Sequence, residues 1–145
     1  MIKIKKVPKI STQDGYMMPV YRDWDININC GHIPKMVYVT ALFPGVEKDI
    51  ILHERRSAYM TCIAGCVSLE AMIDKEFKNF MLDFDGADDQ VNLIIIPQNI
   101  PIKLRNLSKQ TSIILNCPNP SWHPDDQDTI KFKTWSDFNT WQQKD

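Results

Sequence analysis

Short runs of β-branched and aromatic residues, broken at intervals of about ten residues by turn-forming groups, dominate the middle of the chain. The runs are Met36–Phe43, Asp49–His53, Tyr59–Ala64, Val67–Ile73, Phe77–Leu82, Val91–Ile96, Ile102–Leu107 and Thr111–Cys117. Between them stand Pro44-Gly45, Gly65, Asp74-Lys75, Asp85-Gly86-Ala87-Asp88-Asp89, Pro97-Gln98-Asn99 and Ser108-Lys109-Gln110, residues that favour tight turns. This punctuation predicts an all-β sandwich or barrel. No helical period is evident before Asp125. Thr134–Gln143 is the exception: Ser136 is the expected N-cap, and Phe138 and Trp141, three residues apart, share a face. The opening ~15 residues read as an edge strand or an arm. With no repeat or linker, one domain is expected over 1–145: a core of about 35–118, an N-terminal arm 1–15 and a C-terminal segment 119–145.

Alternation within the runs assigns faces. Ile102, Leu104 and Asn106 share one side of their strand, Lys103 and Arg105 the other. Ile51 and His53 share a side and Glu54 opposes them. An apolar interior carrying His53 and Asn106 therefore has a polar spot, which is either a satisfied core pair or a ligand site.

Composition narrows the partners. The 145 residues carry 17 basic and 18 acidic side chains, a formal charge of -1, which argues against a broad polybasic surface and hence against nucleic acid. No apolar run reaches the ~18 residues of a membrane span, and the N-terminus lacks the apolar core of a signal peptide. The cytoplasm is therefore expected, and Cys30, Cys62, Cys66 and Cys117 read as free, buried thiols.

The spacing around His53 resembles the first motif of the cupins: Gly45, five residues, Ile51-Leu52-His53, four residues, Ala58, six residues, Gly65. The second motif is matched in spacing by Val91, Pro97-Gln98-Asn99, Ile102 and Asn106. Ile51, Ala58 and Ile102 stand where a metal cupin places two imidazoles and a carboxylate, so one of four ligands remains and no metal is expected. Among cupins the chain is similar to the dTDP-4-dehydrorhamnose 3,5-epimerases, and more to the shorter dTDP-4-keto-6-deoxyhexose 3,4-ketoisomerases. The similarity runs from about Gly15 to Phe138. It is carried by Lys35-Met36-Val37-Tyr38, Pro44-Gly45, His53, Cys62-Ile63-Ala64-Gly65, Ile95-Ile96-Pro97, Leu104-Arg105-Asn106-Leu107-Ser108 and Trp122-His123-Pro124-Asp125-Asp126. It implies a double-stranded β-helix, or jelly roll; a homodimer is expected because an edge strand needs covering and the N-terminal arm could pair with a partner's sheet. The similarity also implies metal- and cofactor-free isomerisation of a nucleotide-linked keto sugar for surface polysaccharide. In both groups a barrel His removes a proton beside a keto group. The ketoisomerases' first motif His is Ile51 here, the epimerases' enolate-binding Lys is Tyr59, and their acid Tyr is Leu115.

His53 is accordingly the candidate base, since enolisation calls for a group titrating near neutrality; its other reading is a half-buried His bonded to backbone. Parity puts Arg55 rather than Arg56 on the His53 face, where a guanidinium suits a diphosphate. Tyr59 and Tyr38 are candidates for the returning acid or for stacking on the ligand, or are packing residues. Asn106 either orients ligand hydroxyls or has a structural role. The competing function is a non-catalytic sugar-binding or regulatory cupin that has lost the catalytic set.

Overall fold

The computed structural model describes residues 1–25, 33–87 and 89–144; Cys30 and Asp88 lie outside them. All eight predicted runs are strands with ends within about two residues of expectation: β4 Tyr38–Leu42, β5 Ile50–His53, β6 Ala58–Ala64, β7 Cys66–Ile73, β8 Glu76–Asp83, β9 Gln90–Ile96, β10 Ile102–Asn106 and β11 Ser112–Asn116. They are preceded by β1 Lys3–Pro8, β2 Ile10–Ser11 and β3 Tyr16–Met17, and followed by β12 Thr129–Phe132 and the helix α1 Trp135–Gln142.

The strands alternate between two five-stranded sheets, in the orders β1-β9-β6-β11-β4 and β12-β5-β10-β7-β8. Successive core strands change sheet at all but the β7–β8 hairpin, and every named pair is antiparallel. This is a jelly roll, an all-β, cupin-like fold. β1 extends one sheet by pairing with β9, Lys3 opposite Ile95 through Pro8 opposite Gln90, so the opening residues supply an edge strand. β12 extends the other sheet by pairing with β5.

The space between the sheets is filled with hydrocarbon. Leu42, Ala58, Met60, Cys62, Ile94, Ile96 and Ile114 project from one sheet; Val67, Leu69, Ala71, Leu82, Ile102 and Leu104 project from the other. Each fully buried Leu or Ile removes enough apolar surface from water to contribute roughly 1.5–3 kcal/mol. Gly65 turns the chain from β6 to β7 with φ +86°, a conformation that L side chains rarely adopt, and a Cβ there would fall 2.0 Å from the Ser112 hydroxyl.

A second apolar cluster lies outside the barrel. Ile50 and Leu52 leave the outer face of β5 and pack with Phe132 and Phe138, which meet edge to face at 5.3 Å. Phe138 and Trp141 thus share the buried face expected of them. The cap differs from expectation. Thr134, not Ser136, is the N-cap: its hydroxyl accepts the Asp137 N–H at 3.0 Å, and the Asp137 carboxylate accepts the Thr134 N–H at 3.3 Å. The reciprocal pair satisfies two otherwise orphaned donors, and Ser136 lies inside the helix it was expected to begin. No described helix is long and apolar enough to cross a membrane. Cys62 is a buried free thiol and Cys66 a half-buried one, and Cys117 is buried.

Candidate functional site

The barrel has two ends, and each carries a polar cluster. At one end β10 finishes at Asn106, β11 begins at Ser112 and Gly65 turns the chain. At the other, β5 finishes at His53, β6 begins at Ala58, β11 finishes at Asn116 and β4 begins at Tyr38. Backbone pairing of Ser57 with Asn119 carries the β6–β11 ladder of one sheet past this second end.

His53 lies on the inner side of β5 with Ile51, which packs against the main core, and it is half-buried. Opposite it in register is Thr129 of β12, whose hydroxyl oxygen is 2.9 Å from the His53 Nδ1. The Arg56 Nη2 is also 2.9 Å from Nδ1 and donates to the Thr129 hydroxyl at 2.8 Å. Arg56 is in turn held by Asp128, which accepts from its Nε at 2.9 Å and from its backbone N–H at 3.0 Å. The ion pair is buried, with side chains 5% and 4% exposed. His53 Nε2 makes no hydrogen bond among the described residues.

The electrostatics follow from this packing. Burial, reinforced by the Arg56 charge and opposed by Asp128, lowers the His53 pKa from 6.5 to about 4, so the imidazole is neutral at pH 7. Burial pushes the Asp128 carboxyl up, but the Arg56 charge and hydrogen bonds outweigh it and leave the group below its ordinary value. A stability consequence follows. Between pH 6.5 and about 4 the unfolded chain binds a proton at this His and the folded chain does not, so stability falls as the pH drops through that window. With a discount for the ring's partial exposure, urea unfolding at pH 4.5 is expected to show about 2 kcal/mol less stability than at pH 7. His53→Gln is expected to flatten that difference, and an equally steep profile in the variant would contradict the assignment.

The other candidates are placed as follows. Arg55 does not share the His53 face: β5 ends at His53 and the chain bends at Glu54 and Arg55. Arg55 is 52% exposed and pairs with Asp126 at 2.6 Å, whereas Arg56 turns inward to the imidazole. Tyr59 faces away from the lumen. Its neighbours Ala58 and Met60 project into the core, so Tyr59 leaves the opposite side of β6, packs with Val7, Leu93, Ile95 and Cys117 beneath Met18, Val20 and Tyr21, and donates to the Val20 carbonyl at 3.4 Å. Burial raises its hydroxyl pKa well above the ordinary value. Tyr38 is at the His53 end and shares its face of β4 with the core residue Leu42. Its hydroxyl accepts from Asn116 Nδ2 at 2.7 Å, and Asn116 Oδ1 accepts the Tyr59 N–H at 3.0 Å.

Asn106 points inward as expected but at the far end of the barrel, where its hydrogen-bonding groups are taken. Its Nδ2 donates to the carbonyls of Leu42, Phe43 and Gln110 at 2.8–3.0 Å. Its Oδ1 accepts from the Ser108 N–H at 2.8 Å and the Ser112 hydroxyl at 2.7 Å. This is a structural brace, separated from His53 by the length of β10. Glu47 is bound to Lys103 and Arg105 on the outer face of β10 and gives His53 no support. Arg56, Asp128, Thr129 and Asn116 are the site residues that the sequence did not reveal.

Ile51 and Ile102 are direct register partners, and Ala58 and Ile102 are core residues, so the cupin metal positions beside His53 are hydrocarbon. Among the described residues no three His, Cys, Asp or Glu side chains gather as a metal-holding group. A groove of about 980 Å³ opens elsewhere, lined by Met1, Met72, Lys75, Lys78, Phe80 and Trp141 among others. It takes in Leu52 from the outer side of β5 and does not contain His53.

No protein-family model matches the chain, and no curated relative does. Solved structures do match in fold. A dTDP-sugar isomerase from Desulfovibrio desulfuricans G20 superposes with TM-score 0.76 at 13% identity, over 90% of this chain and 83% of that one. QdtA, a sugar 3,4-ketoisomerase from Thermoanaerobacterium thermosaccharolyticum solved with TDP, gives 0.72 at 15%, over 98% and 96%. RmlC from Legionella pneumophila Philadelphia 1, a 3,5-epimerase solved with dTDP-4-keto-L-rhamnose, gives 0.72 at 12%, over 90% and 72%. The likeness is one of fold, and it extends over nearly the whole chain.

Proposed function

We propose that this jelly roll is a metal-independent epimerase or ketoisomerase of a nucleotide-linked 4-keto-6-deoxy sugar, used in building a surface polysaccharide, with the sugar's keto group received at His53. One observation carries the reading: a neutral, half-buried imidazole stands at one end of the barrel, with Nδ1 secured and Nε2 making no hydrogen bond among the described residues. The fold neighbours add weight: they are a dTDP-sugar isomerase, a sugar 3,4-ketoisomerase solved with TDP and a 3,5-epimerase solved with dTDP-4-keto-L-rhamnose. The hydrocarbon at the three lost ligand positions favours chemistry without a metal, because Ile51, Ala58 and Ile102 offer no donor. We also place the protein in the cytoplasm as a homodimer, a state favoured by the exposed Val37, Val39 and Phe43 on and beside the edge strand β4.

Shifting a proton beside a carbonyl needs two services. The carbon-bound proton needs an acceptor, and the oxygen that gains negative charge needs a donor. His53 is suited to stand at that carbonyl, and Tyr38 with Asn116 flanks the same end. Tyr59, packed on the far side of β6, does not serve as the acid.

That orientation of Tyr59 favours a second reading, a binder without turnover, because one of the expected proton-transfer groups is absent from the mouth. Incubation with dTDP-4-keto-6-deoxyglucose in deuterated water separates the two. Loss of the C3 or C5 proton signal is the result expected of the enzyme. Unchanged spectra with a melting temperature raised by dTDP indicate the binder, since a ligand of the native state alone stabilises it by mass action. Neither effect at millimolar ligand would remove both readings.

A further inference from the structure

The contacts of the imidazole determine which of its nitrogens carries the proton. A guanidinium has five N–H donors and no acceptor. Arg56 Nη2 lies 2.9 Å from His53 Nδ1, so Nδ1 must present its lone pair there; a proton on Nδ1 would set donor against donor. Thr129 agrees with this. Its oxygen accepts from the same Nη2 at 2.8 Å, and its hydroxyl proton is free to turn toward Nδ1 at 2.9 Å; this contact fits the assignment, and the Arg56 contact is the one that decides it. Arg56 has no freedom to withdraw, because Asp128 holds both its Nε and its backbone N–H. In a neutral imidazole one nitrogen is a donor and the other an acceptor. With Nδ1 the acceptor, Nε2 carries the hydrogen.

We infer that Arg56, clamped by Asp128, makes His53 a hydrogen-bond donor, so that the mouth offers its ligand an Nε2–H rather than a basic lone pair. The tautomer stands on the geometry alone. The identity of the ligand atom, the keto oxygen of the sugar, rests on the function proposed above. His53 then supplies the second of the two services, donating Nε2–H to the oxygen as charge develops on it. The expectation that His53 is the base is revised on this ground: a general base needs a free lone pair facing the proton it takes, and here that lone pair faces Arg56. Arg56 is the positioning residue, acting on the ligand only through the imidazole.

The tautomer is read directly, with no ligand, from the nitrogen-15 shifts of His53 in the labelled full chain at pH 7. A pyrrole-type Nε2 and a pyridine-type Nδ1 are expected. The reverse pattern overturns the inference, whatever the protein binds. The double variant Arg56→Met with Asp128→Asn removes the clamp without stranding a buried charge, and in it the two nitrogens are expected to move toward a mixture of tautomers. A single unmixed Nε2–H form in that variant would show that Arg56 does not set the proton. With the keto sugar, His53→Gln keeps an N–H donor but has no proton-accepting nitrogen. Deuterium exchange in that variant is expected to stay within about tenfold of the parent, while His53→Ala falls by about 10²-fold or more. Loss of exchange in both variants would make His53 the base and overturn the donor role. A pyrrole-type Nε2 in a protein that neither exchanges nor binds the sugar nucleotide overturns the proposed function instead, and leaves the tautomer standing.

Discussion

Replacing Asp128 by alanine is expected to cost about 3–5 kcal/mol of folding stability, the largest effect of any single change at the barrel mouth. The carboxylate is 4% exposed and faces a guanidinium that is 5% exposed. Bringing both charges out of water carries a desolvation cost that only their mutual contact offsets. Deleting one partner leaves the other buried and uncompensated, which is why the loss exceeds the net worth of the pair. Asp128 also accepts the backbone N–H of Arg56 at 3.0 Å and that of Arg55 at 3.4 Å, so the turn between β5 and β6 loses its anchor with the charge. His53 is not expected to become protonated in compensation. Asp128 is the neighbour that raises its pKa, and without it the imidazole resists protonation more strongly. Asp128→Asn, which keeps an acceptor, is expected to fall between parent and alanine. The double change with Arg56→Met is expected to cost less than the sum of the two single changes, the signature of a coupled pair. Urea unfolding at pH 7 measures all of these. A loss below about 1 kcal/mol for the alanine variant would mean that the pair is far better hydrated than the structure has it.

The eight core strands were legible because each has one face in the barrel interior, so that alternation and turn residues carry nearly all the information needed. β12 was not legible. Thr129-Ile130-Lys131-Phe132 is four residues long and acquires its strand character by pairing with β5, more than seventy positions earlier. β1 was ambiguous because only Val7 in Lys3–Pro8 is fully buried. The face of Tyr59 was hidden for the opposite reason. Ala58 through Cys62 are all buried, the even positions in the barrel and Tyr59 under the N-terminal segment, so burial on both sides erases the alternation that would distinguish them.

Candidate residues failed where local counting was carried past an element's end. Arg55 shares parity with His53 only if β5 continues; it stops at His53, and the bend that follows sends Arg55 to solvent and Arg56 inward. No local pattern could have supplied Asp128, which reaches Arg56 across 72 positions. Yet that pairing decides the protonation of His53, the residue most visible from the sequence. Motif spacing located the imidazole, and its chemistry was set by a neighbour from another part of the chain.

Asn106→Ala is expected to destabilise the fold by roughly 3–4 kcal/mol while leaving the mouth unaltered. Parity located this side chain correctly, and its partners determine its role. One amide serves three carbonyls, those of Leu42, Phe43 and Gln110, and receives the Ser108 N–H and the Ser112 hydroxyl. It thereby ties the end of β4, the end of β10 and the start of β11 into one buried knot. Water has little access to Asn106 and Ser112, which are 3% and 0% exposed. Alanine therefore leaves buried polar groups unsatisfied at about 1–3 kcal/mol each where they find no replacement, and opens a small void besides. Asn106→Asp sharpens the test. A carboxylate keeps the two acceptor contacts but turns an oxygen toward three carbonyl oxygens, so this nearly isosteric change is expected to be no milder than alanine at pH 7. Part of the loss is expected to be recovered in acid, where the protonated carboxyl regains one O–H donor for those carbonyls. Because β10 places Asn106 at the opposite end from His53, ligand affinity measured well below the melting temperature is expected to match the parent in the alanine variant. A selective loss of affinity with unchanged stability would make Asn106 a ligand-binding residue after all.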